Sequence, residues 1–249
     1  MELEGKTALI TGSTGRGMGR SIALSLAREG ANIVLNYETR PQRAEAVLEA
    51  VKAMGRRAIM HEADVASEEG AKSLYEAAVA AFHRVDILVV SAGGAWLAVD
   101  TPDLEPEHWR RVLAEEIHSP MYLLPLVLPA MRKEHWGRII LLGGHDADDW
   151  REEDAPLDYP MGKAARHWLT RSVARREAIH GITVNAIAPG TIDYVELEDA
   201  VADLDHGETW QKRSVPRPQD AGDLAAFLCS EQARFVTGSI IQVVTTKEP

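Results

Sequence analysis

The chain has 249 residues, and its 38 acidic and 27 basic side chains give a formal net charge of −11 at pH 7. That charge argues against a protein that binds duplex nucleic acid, which needs a basic face for the phosphates. The single cysteine, Cys229, excludes an internal disulfide framework and a cysteine-based zinc cluster. No secretory signal pattern opens the sequence, and no apolar run approaches the roughly 20 residues that span a bilayer. We therefore expect a cytoplasmic protein without nucleic-acid or membrane partners.

Short apolar runs alternate with longer helical patterns along the whole chain. The predicted strands are Thr7–Thr11, Asn32–Leu35, Arg57–Glu62, Ile87–Ser91, Arg138–Leu142, Thr183–Ala188 and Ile240–Val244. The predicted helices are Gly19–Glu29, Pro41–Met54, Ser67–Phe82, Glu107–Met131, Tyr159–Ile179 and Pro218–Leu228. Several strands are apolar almost throughout, as strands buried on both faces are. The alternation predicts one doubly wound α/β domain over residues 1–249, with a parallel sheet of about seven strands covered by helices on both faces.

Two segments interrupt this regular pattern. Residues 145–158 join a strand to a helix, and residues 193–217 form a long, mostly polar stretch before the last helix. Long connections at the carboxyl ends of parallel strands are where such sheets bind ligands. We therefore expect an active-site loop at 145–158 and a substrate-side loop at 193–217, although either can also be an ordinary surface loop.

A glycine-rich turn follows the first predicted strand and opens directly into the first helix. Glycines allow the backbone to turn tightly and approach a pyrophosphate, while the helix N-terminus offers free N–H groups and a positive dipole end. Because the turn lies in the first βαβ unit, it predicts a dinucleotide site rather than a ligand-free turn. The predicted contacts in this turn are Gly12, Thr14, Arg16, Gly17, Met18 and Gly19.

The end of the second strand indicates which dinucleotide binds. Sites for NAD place a carboxylate there to hold the ribose 2′-OH, whereas sites for NADP supply positive charge for the 2′-phosphate. This chain has Asn36 at the carboxylate position, and Arg16 and Arg40 can reach a 2′-phosphate. Glu38 argues the other way, because it can bind the ribose diol. The balance favours NADP(H) over NAD(H).

Tyr159 and Lys163 lie four residues apart at the start of a predicted helix, so they share one helical face. A tyrosine has a reference pKa of about 10 and is a poor acid or base near neutrality unless a cation stabilises its phenolate. Lys163 can supply that cation. The spacing also arises by chance in half-buried helix starts, so the pair needs the support of other motifs.

Several further motifs occur in a fixed order, and together the chain resembles the short-chain dehydrogenase/reductase family from Lys6 to about Val243. The motifs are Thr11-Gly12, Ala63-Asp64-Val65, Ser91-Ala92-Gly93, Tyr159 with Lys163, Val184-Asn185-Ala186-Ile187-Ala188-Pro189-Gly190 and Phe235-Val236-Thr237-Gly238. The resemblance implies a Rossmann-type fold and hydride transfer between NAD(P)H and a carbonyl or alcohol. It also implies a homotetramer or homodimer, with subunit contacts through the helices Glu107–Met131 and Tyr159–Ile179 and the C-terminal strand.

The resemblance also implies roles for individual residues. Tyr159 is then the acid/base, and Lys163 binds the nicotinamide ribose and lowers the pKa of the tyrosine. The remaining cofactor contacts are Asp64 and Val65 beside the adenine, Ser91, Ala92 and Gly93 along the cofactor, and Pro189, Gly190 and Ile192 on the nicotinamide side.

The chain departs from the family pattern at three places. Gly17 and Gly19 come one residue late, so we expect the glycine turn to bulge around residues 13–16. The substrate-orienting serine is replaced by Gly144, which has no side chain to donate a hydrogen bond. The helix-four asparagine of the family's proton relay aligns with Glu116. Of the catalytic tetrad, only Tyr159 and Lys163 are kept.

Three interpretations of the missing serine stay open. His145 or Asp146, which follow Gly144, can take its place: a histidine can donate to the substrate oxygen. Alternatively the enzyme works without that donor, whose loss typically costs about 3 kcal/mol of transition-state stabilisation. The third interpretation is a cofactor-binding sensor or scaffold that has lost turnover.

The loop 145–158 carries seven carboxylates and only one basic residue, Arg151. It lacks the ligand spacing of a zinc site, so we predict no metal. With Trp96 and Trp150, and with Gly144 at the substrate position, an aromatic wall beside carboxylates suits a carbonyl or imine substrate with a positively charged or polar nitrogenous part. A solvated acidic rim is the alternative. The sequence thus predicts an NAD(P)H-dependent oxidoreductase acting on a small carbonyl or alcohol, with the sensor as its alternative.

Overall fold

Seven strands form one sheet in the part of the chain that the computed structural model describes, which is residues 1–97, 99–148, 157–206 and 213–245. The strands are β1 (Thr7–Ile10), β2 (Asn32–Tyr37), β3 (Ala58–Glu62), β4 (Ile87–Val90), β5 (Gly137–Leu142), β6 (Ile182–Pro189) and β7 (Ile240–Val243). The helices are α1 (Met18–Arg28), α2 (Pro41–Ala53), α3 (Glu68–Phe82), α4 (Pro106–Leu113), α5 (Ser119–Glu134), α6 (Asp158–Glu177), α7 (Leu197–Ala202) and α8 (Pro218–Cys229).

The sheet is parallel throughout, in the order β3-β2-β1-β4-β5-β6-β7. This confirms the predicted Rossmann-type, doubly wound fold, and the predicted strands match to within two residues at each end. The strand order reverses between β1 and β4, so the connections that follow these strands diverge to opposite faces. Such a divergence leaves a crevice at the carboxyl ends of the strands, which is where open α/β sheets bind their ligands.

Each face of the sheet is covered by its own apolar cluster. Residues of α1, α2 and α8 pack on one face, and residues of α3 and α5 pack on the other. Gly222 allows α8 to approach α1 closely, because a Cβ there would lie 2.6 Å from Ser25 Oγ and 2.8 Å from the Ser21 carbonyl. Gln219 donates a buried hydrogen bond of 2.6 Å to the same Ser25 hydroxyl. Cys229 lies in this packing, and burial raises the pKa of its thiol to about 12.

The structure is helical throughout the range Glu107–Met131, as predicted, but not uniformly α-helical. The helix is interrupted by a π-helical turn, Ala114–His118, which separates α4 from α5. A π turn inserts one extra residue and changes which side chains face inward. Here the inward residue is Glu116, which is fully buried. The widened turn therefore brings a carboxylate to the carboxyl ends of β4 and β5.

Two loop boundaries also differ from the predictions. The stretch 193–217 contains the short helix α7, and residues 207–212 of it lie outside the described residues. The loop predicted at 145–158 ends earlier, because Asp158 is the first residue of α6 and is fully buried. Among the helices that the structure describes, none has both the length and the apolar character needed to cross a membrane.

Candidate active site

A cleft of about 320 Å³ opens at the carboxyl ends of β1 to β4. Most of the predicted cofactor contacts on this side of the sheet line it together. The lining residues are Gly12, Asn36, Glu38, Ala63, Asp64, Val65, Ala66, Ser91, Ala92, Gly93 and Glu115. The sequence motifs that follow three different strands are therefore brought together in one crevice.

The glycine turn contributes both close packing and open space. Gly12 has φ +58°, and a Cβ there would lie 2.9 Å from Ala92 Cα. Gly19 packs equally closely, because a Cβ there would lie 2.7 Å from both the Gly12 carbonyl oxygen and Ser91 Oγ. A Cβ at Gly15 or Gly17, by contrast, would lie at least 3.8 Å from its nearest neighbouring atom. Two glycines thus pack the turn against β4, and the other two leave room beside the N-terminus of α1, which suits a pyrophosphate.

Asn36 braces this turn through its buried side-chain amide. Its Oδ1 accepts a hydrogen bond from the Gly12 N–H at 3.1 Å, and its Nδ2 donates to the Ala63 carbonyl at 3.0 Å. Its backbone N–H donates to Ser13 Oγ at 3.0 Å. The amide therefore joins the ends of β1, β2 and β3 at the floor of the cleft. The sequence analysis considered Asn36 only as the residue at the carboxylate position and did not predict this structural role.

The rim of the cleft carries ion pairs that the sequence did not predict. Arg111 of α4 binds Glu38 at 3.1 Å, Asp64 at 3.4 Å and Glu115. The Arg111 side chain is 45% exposed. Arg16 of the glycine turn binds Glu196 at 2.8 Å. Glu38, the carboxylate that could hold a ribose diol, is therefore already paired with a cation.

Tyr159 and Lys163 lie together at the start of α6, as predicted. The Lys163 ammonium is 5.1 Å from the centre of the Tyr159 ring. It donates to the Leu142 carbonyl at 3.3 Å and lies 3.0 Å from Glu116 Oε1. Burial, with the nearby Arg166, lowers the pKa of Lys163 to about 8. This side chain is buried against the end of β5, where it can hold a fixed position.

The expected lowering of the tyrosine pKa is not found in the protein alone. Burial, with the charge of Glu116 and the neighbouring Tyr194, raises the pKa of Tyr159 to about 12. The group that opposes this rise is the Arg166 guanidinium. The prediction assigned the lowering to Lys163, but the ammonium is paired with Glu116 and its charge is largely compensated. A lower pKa of Tyr159 would therefore require a cation added to the site.

Gly144, at the serine position, lies directly against Lys163. A Cβ there would be 3.0 Å from Lys163 Cγ and 3.2 Å from its Cβ, so a serine would require a small shift of the lysine. His145 lies on the other side: its N–H donates to the Pro189 carbonyl at 3.1 Å. Its ring is 3.5 Å from the point where a Gly190 Cβ would stand. His145 therefore neighbours residues that the family resemblance assigns to the nicotinamide side.

Asp146 pairs with its neighbours at the edge of the sheet. Its Oδ2 lies 3.0 Å from His145 Nε2, and its Oδ1 accepts a hydrogen bond of 2.9 Å from Gln242 of β7. The backbone of Asp146 is left-handed, with φ 51°. The carboxylate is thus held between a histidine and an amide.

The described carboxylates of the loop have polar partners within the protein. Asp148 lies at the surface, where it binds the buried His167 at 3.0 Å and Arg171 at 2.7 Å. Asp158 is buried 3.3 Å from His108 and accepts the Tyr159 N–H at 2.8 Å. The solvated rim therefore stays open as an interpretation for Asp148, whereas Asp158 lies in the interior.

The rest of the acidic loop, including Trp150, lies outside the described residues. Trp96 is described, and its side chain is 53% exposed. Within the described ranges, no group of three or more histidine, cysteine, aspartate or glutamate side chains is arranged to hold a metal ion.

Sequence reasoning missed two residues beside the catalytic pair. Arg166 is a fully buried arginine one turn after Lys163. Tyr194, half exposed, lies 3.8 Å from the point where a Gly17 Cβ would stand, so it lies between the glycine turn and Tyr159. A charged residue three positions after a buried lysine on the same helical face is the one signal that could have indicated Arg166.

Comparisons with known proteins agree with this geometry. The family model described as enoyl-(acyl carrier protein) reductase matches residues 12–244. Glucose 1-dehydrogenase 2 of Bacillus subtilis is 31% identical over 250 residues, covering 97% of this chain and 94% of that protein. The 3-oxoacyl-(acyl-carrier-protein) reductase FabG of Staphylococcus aureus is 34% identical over 243 residues, covering 96% of each chain.

Solved structures give the same result. A variant of a Serratia marcescens short-chain dehydrogenase/reductase superposes with a TM-score of 0.82 at 29% identity, covering 98% of each chain. The chain belongs to the short-chain dehydrogenase/reductase family, whose members are oxidoreductases that bind nicotinamide dinucleotides. The open space at Gly15 and Gly17 and the cleft beyond β4 fit such a dinucleotide.

Proposed function

We propose that the protein transfers hydride between NADP(H) and a small carbonyl or alcohol substrate, with Tyr159 as acid/base. The observation that supports this most directly is the placement of Tyr159 and Lys163 on one helix face, at the strand ends beside a cleft that fits a dinucleotide. The cofactor, when bound, supplies the hydride and a positive nicotinamide ring in its oxidised form. The tyrosine hydroxyl donates its proton to the carbonyl oxygen during reduction and accepts it back during oxidation.

Residues of the chain have separate parts in binding the cofactor. The turn Gly12–Gly19 holds the pyrophosphate, Asp64 and Val65 lie beside the adenine, and Lys163 binds the nicotinamide ribose. The remaining contacts are Ser91, Ala92 and Gly93 along the cofactor and Pro189, Gly190 and Ile192 on the nicotinamide side.

The preference for NADP(H) rests on charge at the end of β2. Asn36 replaces the usual carboxylate, and Glu38 is engaged by Arg111, so neither offers a free carboxylate to a ribose diol. Arg16 in the glycine turn and Arg40 just after β2 are the basic residues that we propose for binding the 2′-phosphate. The preference is measured as the ratio of the dissociation constants of NADPH and NADH, and equal constants would contradict it.

His145 is the residue we propose in place of the missing serine hydroxyl. Its position beside Pro189 and Gly190 supports this, whereas Asp146 is held by Gln242 at the sheet edge. Removing such a donor lowers kcat by about 10² to 10³. We therefore expect His145→Asn to lose much more turnover than Asp146→Asn, and the reverse order would assign the role to Asp146.

The substrate is proposed only as a small carbonyl or alcohol. The names of relatives indicate that the family accommodates a sugar in one case and an acyl thioester in another. The proposal of a cationic substrate has weaker support, because Asp146, Asp148 and Asp158 all have partners within the protein. It is tested by kcat/KM for matched cationic, neutral and anionic ketones, and it fails if the cationic ketone is not preferred.

We propose a homodimer or homotetramer, consistent with an apolar groove on the outer face of α5 and α6. The groove is about 300 Å³ and is lined mainly by Ile117, Met121, Ala165, Trp168 and Leu169. Trp168 is 68% exposed, which is unusual for so large an apolar side chain. We expect Trp168→Glu to lower the assembly state in sedimentation velocity, while Phe227→Glu on α8 leaves it unchanged.

The decisive experiment pairs NADPH binding with a screen of ketones and imines. Tyr159→Phe should lower turnover by about 10³ while leaving the NADPH dissociation constant within a few-fold. Tyr194→Phe is the matched control and should keep most of the activity. Two observations favour a cofactor-binding sensor instead: Gly144 has no hydroxyl, and the pKa of Tyr159 is raised to about 12. NADPH binding without turnover on any substrate would support the sensor.

A further inference from the structure

Three charged side chains meet beneath Tyr159 without access to solvent. Glu116 Oε1 lies 3.0 Å from Lys163 Nζ and accepts the Gly94 N–H at 2.8 Å. Glu116 Oε2 lies 2.8 Å from Arg166 Nε. The Glu116 and Arg166 side chains are fully buried, and Lys163 is nearly so. This group, which we call the buried triad, therefore has two cations and one anion, with a net charge of +1 while Lys163 is protonated.

Arg166 is tied to backbone carbonyls as well as to Glu116. Its guanidinium donates to the carbonyl oxygens of Val90, Ala92, Leu142, Glu115 and Glu116. These carbonyls belong to the ends of β4 and β5 and to the π turn. The arginine is thus fixed with its hydrogen-bonding groups satisfied, and it cannot turn outward to exchange its charge for solvent.

The surrounding backbone leaves room for the Glu116 side chain at two glycines. A Cβ at Gly162 would lie 2.6 Å from Glu116 Cγ, and a Cβ at Gly93 would collide with Glu116 Oε1. Gly162 lies on α6 between Tyr159 and Lys163, and Gly93 follows β4. The site is therefore shaped to admit a carboxylate between the catalytic helix and the cofactor cleft.

The charges of the triad act on Tyr159 in opposite directions. Glu116 raises the pKa of the phenol and Arg166 lowers it. The titratable or charged groups that face Tyr159 are Glu116 from the π turn, Tyr194 from the segment after β6, and Lys163 and Arg166 from α6 itself. Without Arg166, the carboxylate would cancel the charge of Lys163 and leave the phenolate with no net positive field.

We infer that Glu116 and Arg166 are a matched pair of positioning residues: Glu116 fixes the Lys163 ammonium, and Arg166 restores the positive charge that Glu116 would otherwise cancel at Tyr159. This rests on the proposed function insofar as Tyr159 is the acid/base. Neither residue needs to touch substrate or cofactor. Arg166 offsets part of the effect of Glu116 on the phenolate that forms during the reaction, because charges interact strongly where water is excluded.

The test is a charge series read by the ultraviolet absorption of tyrosinate as pH rises. Each variant is compared with its own Tyr159→Phe derivative, so that the signal of the other tyrosines is subtracted. Glu116→Gln adds one net positive charge to the triad, Arg166→Gln removes one, and the double variant restores the original value. The ranking of the variants by the net charge of the triad is the same whether or not Lys163 is protonated.

Glu116→Gln should raise the phenolate-to-phenol ratio of Tyr159 about tenfold at a given pH, which is a shift of about one pH unit. Arg166→Gln should lower the ratio by a similar factor, and the double variant should return close to the parent protein. A merely structural pair would destabilise the protein without moving the Tyr159 titration in opposite directions, and that result would overturn the inference.

The double variant keeps the test usable if Arg166→Gln fails to fold. Glu116→Gln and the double variant alone then suffice, and equal Tyr159 titrations in these two would refute the inference. Because this readout needs no substrate, it is separate from the proposed function. Absence of NADPH binding or of turnover would count against the enzyme proposal and leave the titration result standing.

Discussion

Two neighbouring glutamates of the π turn, Glu115 and Glu116, each bind an arginine, but in very different surroundings. Glu115 points to the rim of the cleft and pairs with Arg111, which is 45% exposed and is shared with Glu38 and Asp64. Glu116 points inward and pairs with Arg166, where both side chains are fully buried. The same two residue types therefore form an exposed network and a buried pair one residue apart.

The difference shows why burial, rather than the presence of an ion pair, decides the energetic consequence. Exposed pairs are screened by water and typically contribute only about 0–1 kcal/mol. A buried pair also contributes little over an apolar replacement of both partners, but removing one partner leaves an uncompensated charge and costs about 3–5 kcal/mol. The rim can therefore tolerate change residue by residue, whereas the buried pair must change as a unit.

The largest effect is expected for Arg166→Gln, which leaves Glu116 Oε2 without its cation and five backbone carbonyls without their arginine donor. The free energy of unfolding should fall by about 3–5 kcal/mol, measured by urea denaturation. The double variant Glu116→Gln with Arg166→Gln is the control, and it should recover only the part of the loss that comes from the charge of Glu116, because the carbonyls still lack their donor. A single variant as stable as the double would show that the pair is not coupled.

The next largest effect is expected in the pH dependence of the free energy of unfolding, to which the buried Lys163 contributes. The pKa of Lys163 is lowered to about 8 in the folded state from 10.5. Between these values the unfolded chain holds the proton that the folded chain has lost, so raising pH favours folding. The contribution rises from pH 8 to 10 by about 1.4 kcal/mol per pH unit at most. Above pH 10 the opposite shift of Tyr159 begins to oppose it.

The measurement is the difference in unfolding free energy between the protein and Lys163→Met across this pH range. Subtracting the variant removes the contribution of every other titrating group. A difference that stays flat from pH 8 to 10 would show that the lysine keeps its proton in the folded state.

Asn36 tests the intermediate case of a buried but neutral group. Asn36→Ala leaves the Gly12 N–H and the Ala63 carbonyl without partners, and it should lower the free energy of unfolding by about 1–3 kcal/mol. Because the amide braces the glycine turn, NADPH affinity should fall in the same variant. Asn36→Asp keeps the shape but replaces the donor to Ala63, so it should also destabilise the turn and should not convert the site to NADH preference.

The smallest effect is expected at the rim. Arg111→Gln should change the free energy of unfolding by no more than about 1 kcal/mol. The change should also shrink as salt is raised, because exposed charges are screened. A loss as large as that of Arg166→Gln would remove the contrast between the two arginines.

The sequence predicted the sheet well because its signals are local. Each strand is a short apolar run, and the order of alternating strands and helices leaves few topologies. The π turn after α4 was not predictable in this way, since the sequence on both sides of it is typical of a helix. The short helix α7 was also missed, because the six residues Leu197–Ala202 are too few to show a helical period within their loop.

Residues of the candidate site were predictable only where they belong to a motif of residues close together in the sequence. Tyr159 with Lys163, and the glycine turn, are local motifs, and the further motifs of the resemblance supported them. The contact of Glu116 with Arg166 joins residues fifty positions apart, and sequence patterns assign both charges to the surface by default. The partners of Asp148 and Asp158 were not predicted for the same reason, since these partners lie on other elements.

The close fit of Gly93 and Gly162 around Glu116 constrains how this chain can have diverged. A side chain at either glycine would collide with the carboxylate, so those positions are closed to larger residues for as long as position 116 is a glutamate. A buried arginine acquired without its acidic partner, or the reverse, would pass through an intermediate of greatly reduced stability. The two charges should therefore change together, so homologues should carry either both charges or neither, and those with both should keep a glycine at position 162.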